Sequence, residues 1–485
     1  VLAGDLITED PHRNLNVVFE STLGLLDDSA RTLLARLAVC PGSFDQGLVQ
    51  AVGESSARRD LARLVDTALV VDAESGPGGR RFRLPDPTRA FVDSTLDVGE
   101  QEDVRRRHAE YFHEVMVRAD REMAGERDRA WIRRFEREEA NVRLALAWWI
   151  DHDPSGALVF ANALGRATQS NTDDIELCEL FDRMLDAAPA DGQVGHDPLG
   201  VARVRLRRGW PRFLTGDFAG GMDDMRRAAA TLDAHGDPIG SAEAHSGLGH
   251  MVVLATADAD AAAESYERAI ASSRRAGAPL TTAMALAEQA QSLIFADRAD
   301  AGIDAMLDEA EMLFREVDDA GGLAHVMMDR TLAAYAIDDV AGADRYADES
   351  IWWSRGCGDV TYEQIAHEAK AVLRLHAGET EAAAACLTTG VRLAVDAHNL
   401  LQLGVAVHAV AVHAALIGQP RAAARLRGGA MVFAPMWPLF ERRYGELAGD
   451  AFDELGDELE AELTAGAELD LDELLALVDS ILAGC

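Results

Sequence analysis

The segment GDFAGGMDDMRRA at residues 216–228 contains a pattern that occurs six times in the carboxyl-terminal half of the chain. The copies are anchored at Asp217, Asp258, Ala299, Asp339, Glu379 and Gln419, which are 41, 41, 40, 40 and 40 residues apart. A small or aliphatic residue follows each anchor by four positions, and a small residue follows it by eleven. Such residues let helices approach closely. The period therefore predicts a solenoid of stacked helical hairpins, each of which buries its apolar face only against its neighbours.

The composition predicts a helical protein with more than one structural unit. The 485 residues exceed what one compact core normally holds. The chain is 48% hydrophobic and 27% charged, which is typical of globular proteins, and its aromatic content of 6% favours helix over sheet. We therefore expect an all-α fold.

The charge balance argues against phosphate-rich partners. The 46 basic and 83 acidic residues give a net charge of −37, which repels nucleic acids and anionic membranes at long range.

The single lysine, Lys370, has no glycine loop before it. A Walker A loop requires a lysine in that context, so we do not expect a P-loop ATPase within this chain.

No other pattern indicates chemistry within the chain. No Ser/His/Asp order or paired-carboxylate arrangement stands out among the acidic residues, and the cysteines lack metal-ligand spacing. We therefore expect no enzyme activity, no metal site and no cofactor in this chain. We also expect a cytoplasmic location, because no signal peptide is evident. The sequence starts at Val1 rather than Met, which predicts a fragment or a processed protein.

The longest apolar stretch, Leu400 to Gly418, contains Gln402, His408 and His413 and lies within a repeat. We interpret it as a buried solenoid helix rather than a membrane span.

Residues 15–96 differ from the rest of the chain. Helices are predicted over Asp27–Val39, Phe44–Val52 and Ser56–Ala68. The extended segments Leu69–Val71 and Arg81–Leu84 flank a turn-rich stretch and predict a β-hairpin. Three helices followed by a hairpin are typical of a winged-helix domain.

These patterns divide the chain into four parts. We predict a winged-helix domain over residues 1–96 and a helical connector over residues 97–200. Six repeats of about 40 residues follow over residues 201–434, and an acidic helical cap over residues 435–485 covers the end of the solenoid.

The repeats resemble tetratricopeptide units. Gly216-Asp217-Phe218 and Gly378-Glu379-Thr380 match the turn between the two helices of that unit, and Gly209 matches a small residue in its first helix. Since the family's unit has about 34 residues, each helix here would be longer by about one turn.

Several segments resemble the carboxyl-terminal half of bacterial STAND-type signalling ATPases. That class includes the antibiotic regulatory proteins of actinomycetes and the large ATP-binding LuxR-type regulators. The similar segments run from Leu25 to Phe44, from Leu61 to Val70, from Glu139 to Trp148, and from Ala424 to Ala430 together with a tail from Gly466 to Leu475. The resemblance implies that ATP or ADP binds an upstream nucleotide-binding domain, outside this chain, which this chain regulates.

One further segment, Phe82 to Phe91, resembles the family's hairpin-to-helix segment. In related NB-ARC proteins a Met-His-Asp triplet there senses the nucleotide phosphates. Pro85 occupies the His position here, whereas Asp86 and Arg89 match the pattern. We therefore expect Asp86 and Arg89 to contact the nucleotide-binding domain without a direct phosphate sensor.

Winged helices often bind DNA, and this one is rich in arginine. Acidic residues interleave with these arginines, so we expect the domain to pack within the protein rather than to contact DNA directly. The arginines in question are Arg58, Arg59, Arg63, Arg80, Arg81 and Arg83.

The tetratricopeptide register implies a binding groove along the first helices of the repeats. Its aromatic residues, methionines and few titratable groups would suit a peptide, a protein or another amphipathic effector. The alternative is that an error in the register places half of these residues in the core. The predicted groove residues are Arg203, Trp210, Phe213, Met251, Glu288, Ser292, Phe295, His325, Met328, Tyr335, Glu368, His376 and His408.

Together these observations predict the regulatory region of a STAND-type transcriptional regulator, which binds an effector in its groove and controls an upstream domain. The alternative is a stand-alone tetratricopeptide adaptor for protein partners. A third hypothesis is a DNA-binding winged-helix protein with a solenoid attached.

Overall fold

A computed structural model of the protein describes residues 22–76, 79–92, 98–122, 129–167, 174–298, 302–397 and 399–483. Its contacts divide the chain into two compact units. The first comprises Val1–Thr168 and Arg183–Gly200, and the second comprises Gln169–Asp182 and Val201–Cys485. The four-part division predicted from the sequence stays a prediction.

The first unit begins with the predicted winged-helix order, and the three helices and the hairpin are confirmed. The strands form one antiparallel sheet in the order β1-β3-β2. The elements are α1 (Asp28–Leu37), β1 (Phe44–Asp45), α2 (Gln46–Val52), α3 (Ala57–Asp66), β2 (Val71–Gly76), β3 (Gly79–Arg83) and α4 (Asp86–Val92).

The start of the second helix differs from the sequence prediction. Phe44 pairs with Phe82 and Asp45 pairs with Arg81, so these two residues form an edge strand instead of a helical turn. The Asp45 side chain then accepts the backbone N–H of Leu48 and caps α2. The helix therefore begins two residues later than predicted, because its cap is a strand residue.

Helices continue through the region predicted as a connector. Two long helices lie at its start, and a loop that includes Ala188 lies between α9 and the first solenoid helix. The helices are α5 (Val98–Glu122), α6 (Arg129–His152), α7 (Pro154–Ala157), α8 (Phe160–Ala167) and α9 (Asp174–Ala187).

Six helical hairpins follow within the described ranges, as expected for a tetratricopeptide-like solenoid. The first helices are α10 (Pro198–Leu214), α12 (Pro238–Thr256), α14 (Pro279–Phe295), α16 (Ala320–Ala336), α18 (Val360–His376) and α20 (Leu400–Leu416). The second helices are α11 (Phe218–His235), α13 (Ala259–Ala276), α15 (Ile303–Glu316), α17 (Val340–Cys357), α19 (Thr380–Asp396) and α21 (Pro420–Phe433).

Five of the six sequence anchors are the N-cap residues of second helices. The carboxylates of Asp217, Asp258 and Asp339 each accept the backbone N–H three residues later, which satisfies one of the unpaired donors at a helix start. Glu379 and Gln419 occupy the same position without a side-chain cap. The sixth anchor, Ala299, lies outside the described residues. The sequence pattern thus marks where each second helix begins.

The residues four and eleven positions after each anchor are all buried. Since most of them are Ala, Ser or Gly, the facing helices approach closely along these positions. Ion pairs link helices at the surface: Lys370 of α18 lies 2.6 Å from Asp348 and 3.2 Å from Asp344, both on α17. Apolar packing of small residues therefore holds the array together, and polar pairs border it.

Three more helices end the chain, namely α22 (Pro438–Asp453), α23 (Leu459–Ala467) and α24 (Leu471–Leu482), with a short 3-10 helix at Gly456–Glu458. Glu462 of α23 pairs with Arg425 of α21 at 2.5 Å. The acidic helix α23 thus packs on the last hairpin. None of the helices in the described ranges has both the length and the apolar character that crossing a membrane requires.

The contact between α21 and α23 provides a test of close helix packing. A Cβ atom added at Gly466 would lie 2.0 Å from the carbonyl oxygen of Arg425. We expect Gly466→Ala to lower the free energy of unfolding by about 1–3 kcal/mol, because neither backbone can move away without disrupting other contacts. Urea denaturation followed by circular dichroism would measure the loss.

Gly449 of α22 is the matched control, because nothing lies within 4 Å of a Cβ added there. Gly449→Ala should stabilise the protein by about 0.5–1 kcal/mol through helix propensity. Equal stabilities of the two variants would contradict the close packing of α21 and α23.

Candidate functional site

All the predicted groove residues lie on the first helices of the hairpins. These helices, from α12 to α20, pack directly on one another from hairpin to hairpin, whereas consecutive second helices make few contacts within the described ranges. We call the side formed by the first helices the inner face. The sequence register therefore placed these residues on one continuous row of helices.

Their exposure differs along this row. Arg203, Trp210, Glu288 and His376 are half-buried. The others are buried among the helices: Phe213, Met251, Ser292, Phe295, His325, Met328, Tyr335, Glu368 and His408. A role in ligand binding stays a prediction for all of them.

Four side chains from the first three hairpins meet in one cluster on the inner face. The Ser246 hydroxyl donates to the Glu288 carboxylate at 2.5 Å, and Nδ1 of His250 lies 3.7 Å from the other oxygen of Glu288. The Trp210 indole packs edge-on against the His250 ring, with centroids 5.3 Å apart. We call these four residues the Glu288 cluster.

The Glu288 cluster holds a negative charge near the surface. Its His250 and Glu288 side chains are 19% and 13% exposed. Burial raises the pKa of Glu288, but the interactions with His250 and Ser246 outweigh burial and leave this pKa below its ordinary value. The cluster thus combines an ionised carboxylate, an imidazole and an indole, which could bind a ligand with both a polar and an apolar part.

A second polar group lies in the interior between α14 and α16. The Gln291 amide donates to the Asp329 carboxyl at 3.0 Å, and Nε2 of His325 lies 3.3 Å from the same carboxyl group. The ring of Tyr362 stacks on His325 at 4.7 Å. Burial raises the pKa of Asp329 well above its ordinary value. This group joins three consecutive hairpins through hydrogen bonds and stacking.

Glu368 is also buried. Its carboxyl accepts a hydrogen bond from Gln364 at 2.7 Å on one oxygen, and the other oxygen has no partner among the described residues. Burial raises the pKa of Glu368 to about 8, although the Gln364 bond acts in the opposite direction. The side chain is therefore protonated at neutral pH.

Three of the other predicted groove residues, Phe295, Tyr335 and His408, contact the chain's own carboxyl-terminal segment. Phe295 stacks on Trp437 with centroids 4.9 Å apart, and Nε2 of His408 lies 3.2 Å from the carbonyl oxygen of Ala434. Tyr335 hydrogen-bonds to His376 at 3.0 Å. Helix α22 and the residues just before it thus cover the carboxyl-terminal half of the inner face, over hairpins three to six.

The arginines of the winged-helix domain mostly form ion pairs within the domain. Arg59 pairs with Asp60, and Arg63 pairs with Asp27. Arg80 binds Asp72 through two hydrogen bonds of 2.6 and 2.8 Å. These pairs neutralise the charge that would attract a DNA backbone.

Arg81 is the central residue of a buried network. Its guanidinium lies 2.6 Å from the Glu138 carboxylate, and it donates to the hydroxyl and the carbonyl of Ser43 at 2.9 and 2.8 Å. Asn141 donates to the same carbonyl at 2.9 Å and to Glu138 at 3.1 Å. The network fixes the β-hairpin against α6, because each partner would otherwise be a buried polar group without a hydrogen bond.

The two residues predicted to contact a nucleotide-binding domain are neighbours in α4. Asp86 and Arg89 form an ion pair in which the Asp86 side chain is 84% exposed. Arg89 also donates to the carbonyls of Cys40 and Pro41 at 3.2 and 2.6 Å. Arg89 therefore stabilises the turn after α1, and a contact with a further domain stays a prediction.

The amino-terminal part of the chain matches a known protein family. The family described as winged helix-turn-helix domain matches residues 26–97. Residues 26–97 are a winged helix-turn-helix domain. The match includes the sheet and helices α1 to α4.

Three mycobacterial proteins also share sequence with the chain. They are named as candidate HTH-type transcriptional regulators, one in Mycobacterium bovis and two in strains of Mycobacterium tuberculosis. Each is 32% identical over 130 residues, which cover 26% of this chain and 14% of the relative. The similarity to HTH-type regulators is thus weak and is confined to a small part of their length.

Two solved structures are similar to this chain at low sequence identity. One is a signal transduction ATPase with a tetratricopeptide repeat sensor from Pyrococcus horikoshii, with 14% identity, a TM-score of 0.46, and coverage of 93% of this chain and 68% of that one. The other is a Rap protein complexed with competence and sporulation factor, with 16% identity, a TM-score of 0.49, and coverage of 77% and 100%.

Sequence reasoning missed several residues that the structure brings together. Glu138 lies directly before the segment from Glu139 to Trp148, and its partner Arg81 is 57 residues away in the sequence. No sequence pattern marks Ser246 as a candidate functional residue. Asp297 pairs with Arg442. Its only sequence signal is that glycine occupies the equivalent turn position in several other repeats.

The protonated Glu368 predicts a specific pH dependence. In the unfolded chain its carboxyl ionises above the ordinary pKa of 4.5, whereas in the folded protein it keeps its proton to about pH 8. Between these values the folded state binds more protons, so stability falls as pH rises, by at most about 1.4 kcal/mol per pH unit. Glu368→Gln should remove this dependence and stabilise the protein at pH 8, as measured by urea denaturation at several pH values.

Glu349→Gln, at an exposed position of α17, is the control and should leave the pH profile unchanged. If Glu368→Gln preserved the wild-type slope between pH 4.5 and 8, the carboxyl would be ionised in the folded state.

The paired arginines also predict how the chain behaves toward DNA. We expect duplex DNA to bind with a Kd weaker than about 10⁻⁴ M at physiological salt, since the charge of the domain is neutralised and the chain carries −37 overall. Fluorescence anisotropy with a labelled random duplex at several salt concentrations would measure this. Salt-sensitive micromolar binding would contradict the expectation.

Proposed function

We propose that this chain is the regulatory and sensory region of a transcriptional regulator of the STAND type. An effector binds the inner face of the solenoid at the Glu288 cluster. Binding there alters the state of an upstream nucleotide-binding domain, to which the winged helix is coupled. The nucleotide, ATP or ADP, would bind that upstream domain and not this chain. The protein would act in the cytoplasm.

The observation that carries this proposal is the position of the Glu288 cluster. It lies on the inner face of the first three hairpins, whereas hairpins three to six are covered by the chain's own carboxyl-terminal segment. The cluster offers an indole for apolar contact and a carboxylate held by Ser246 and His250. Such a mixed surface suits a peptide, a protein segment or a small amphipathic molecule.

The winged-helix domain supports a role within the protein rather than on DNA. Most of its arginines are engaged by neighbouring acids, and the Arg81 network fixes its hairpin against α6. Asp86 is largely exposed beside Arg89 and is available for a contact with a further domain. We therefore assign this surface of α4 to the nucleotide-binding domain.

A stand-alone adaptor for protein partners is the second candidate function. The solenoid alone favours it, because arrays of helical hairpins are commonly binding surfaces. An adaptor would bind its partner at the inner face without changing the output of a nucleotide-binding domain. The two functions therefore differ in whether binding alters nucleotide exchange or transcription.

Substitutions in the Glu288 cluster test the proposed function. Trp210→Ala should reduce the response of a transcriptional reporter at least tenfold in cells that express the whole protein encoded by the gene, because the effector loses the indole. Glu288→Gln should have a similar effect without a change in shape, since it removes only the charge. Circular dichroism should show unchanged helix content for both variants.

Trp352→Ala is the matched control, because that indole lies on a second helix and is 66% exposed. It should leave the reporter response intact. A full response in both cluster variants would remove the Glu288 cluster from the proposal, and bound partners without any transcriptional effect would favour the adaptor.

A further inference from the structure

The carboxyl-terminal segment that contains α22 contacts hairpins far from its own position in the chain. Helix α22 packs on α20 and reaches α14, and Arg442 contacts a residue 145 positions earlier. Helix α23, by contrast, packs on the neighbouring helix α21. Only α23 and α24 therefore serve as a simple end cap, and α22 occupies the inner face.

Two adjacent arginines attach α22 to two adjacent hairpins. Arg442 binds Asp297 through two hydrogen bonds of 2.6 and 2.7 Å and also donates to the carbonyl of Ala336 at 3.1 Å. Arg443 pairs with Asp338 at 2.7 Å and lies over the Tyr335 ring, 4.4 Å from its centroid. The Arg442–Asp297 pair is bidentate, and such guanidinium–carboxylate pairs are strong and specific in geometry.

The two aspartates occupy unusual backbone positions. Each lies at the turn between the helices of its hairpin with a positive φ, 58° for Asp297 and 65° for Asp338. In hairpins one, five and six the turn residue with positive φ is Gly216, Gly378 or Gly418, which adopts this conformation without strain, and in hairpin two it is Ala257. Hairpins three and four thus carry an aspartate where glycine would be favoured, and these are the two turns that bind the arginines.

Aromatic contacts complete the attachment, but they leave polar groups without partners. Trp437 stacks on Phe295, and the Phe440 ring lies 5.9 Å from Phe295 and 5.6 Å from Tyr444. In the described part of the chain, the indole N–H of Trp437 is buried without an acceptor. Burying an unpaired donor costs free energy, which weakens the attachment of the docked segment.

We propose that residues 434–453 are a displaceable intramolecular ligand of the inner face, held by Asp297 and Asp338 and replaceable by a partner helix that carries an aromatic residue followed by two adjacent arginines. This inference deepens the proposed function, because it assigns the regulation of the same inner face. With α22 docked, Phe295, Tyr335 and His408 are covered. Its release uncovers them for the partner.

The double variant Asp297→Gly, Asp338→Gly tests the attachment in the full chain. Glycine preserves the turns, as it does in hairpins one, five and six, while both carboxylates are lost. Hydrogen exchange measured by mass spectrometry should become at least tenfold faster in residues 438–453 and remain unchanged in α11 to α13. Arg421→Ala, which removes pairs with Glu458 and Glu462 outside α22, should leave the exchange of residues 438–453 unchanged. Wild-type exchange in the double variant would overturn the proposal.

A synthetic peptide of residues 434–453 tests displacement. Labelled with fluorescein, it should bind the Arg442→Ala, Arg443→Ala full chain at least tenfold more tightly than wild type, in which the resident helix competes. A peptide carrying the same two substitutions should bind at least tenfold more weakly. Failure of the native peptide to bind the variant chain would overturn displacement by a partner.

A third variant separates this inference from the proposed function. Trp210→Ala should leave peptide binding unchanged, because the Glu288 cluster lies outside the surface covered by α22. If the Trp210→Ala chain bound the peptide and kept a full reporter response, only the proposed effector site would be contradicted. Loss of the reporter response without any peptide binding would overturn only the displaceable segment.

Discussion

Close approach of helices at small side chains is the constraint on which the solenoid depends. Ala262, Ala343 and Ala383 are completely buried where second helices meet the neighbouring first helices. Each hairpin has no core of its own, so its stability comes from these interfaces and is transmitted from one neighbour to the next. At Gly428 and Gly466 the same constraint is sharper, since even a methyl group has no room between α21 and α23.

This dense packing explains why polar residues between the first helices are hydrogen-bonded in groups. A single polar side chain in such an interface would lose water without compensation. Gln291 instead donates to Asp329 beside His325 across two hairpins, and Ser246 donates to Glu288 in the same way. Apolar contacts would tolerate sliding between helices, whereas these bonds require one register. The polar groups therefore contribute to the alignment of the hairpins more than to total stability.

Sequence reasoning could predict the parts of the structure that are determined locally. The anchors mark helix starts because an N-cap acts within three residues, and the small residues mark buried positions because they follow the helical period. The winged helix could be predicted from the order of helices and turn residues. The start of α2 could not, since Phe44 becomes a strand only through pairing with Phe82.

The candidate site shows the same division between local and distant determinants. The register placed Trp210 and Glu288 on the inner face, which depends only on position within a helix. It did not reveal that Phe295 and Tyr335 are covered, because their partners Trp437 and Arg443 come from more than 100 residues later. Long-range contacts of this kind leave no periodic signal in a single sequence.

The ion pairs of Lys370 have a consequence for covalent chemistry. No other side chain in the sequence carries a primary amine, and this one is 14% exposed between two carboxylates of α17. Acylation of the amine would remove its charge and leave Asp344 and Asp348 facing each other without their shared cation. Reagents and enzymes that modify lysine therefore have one side chain to act on in this chain, at the interface between the two helices α17 and α18.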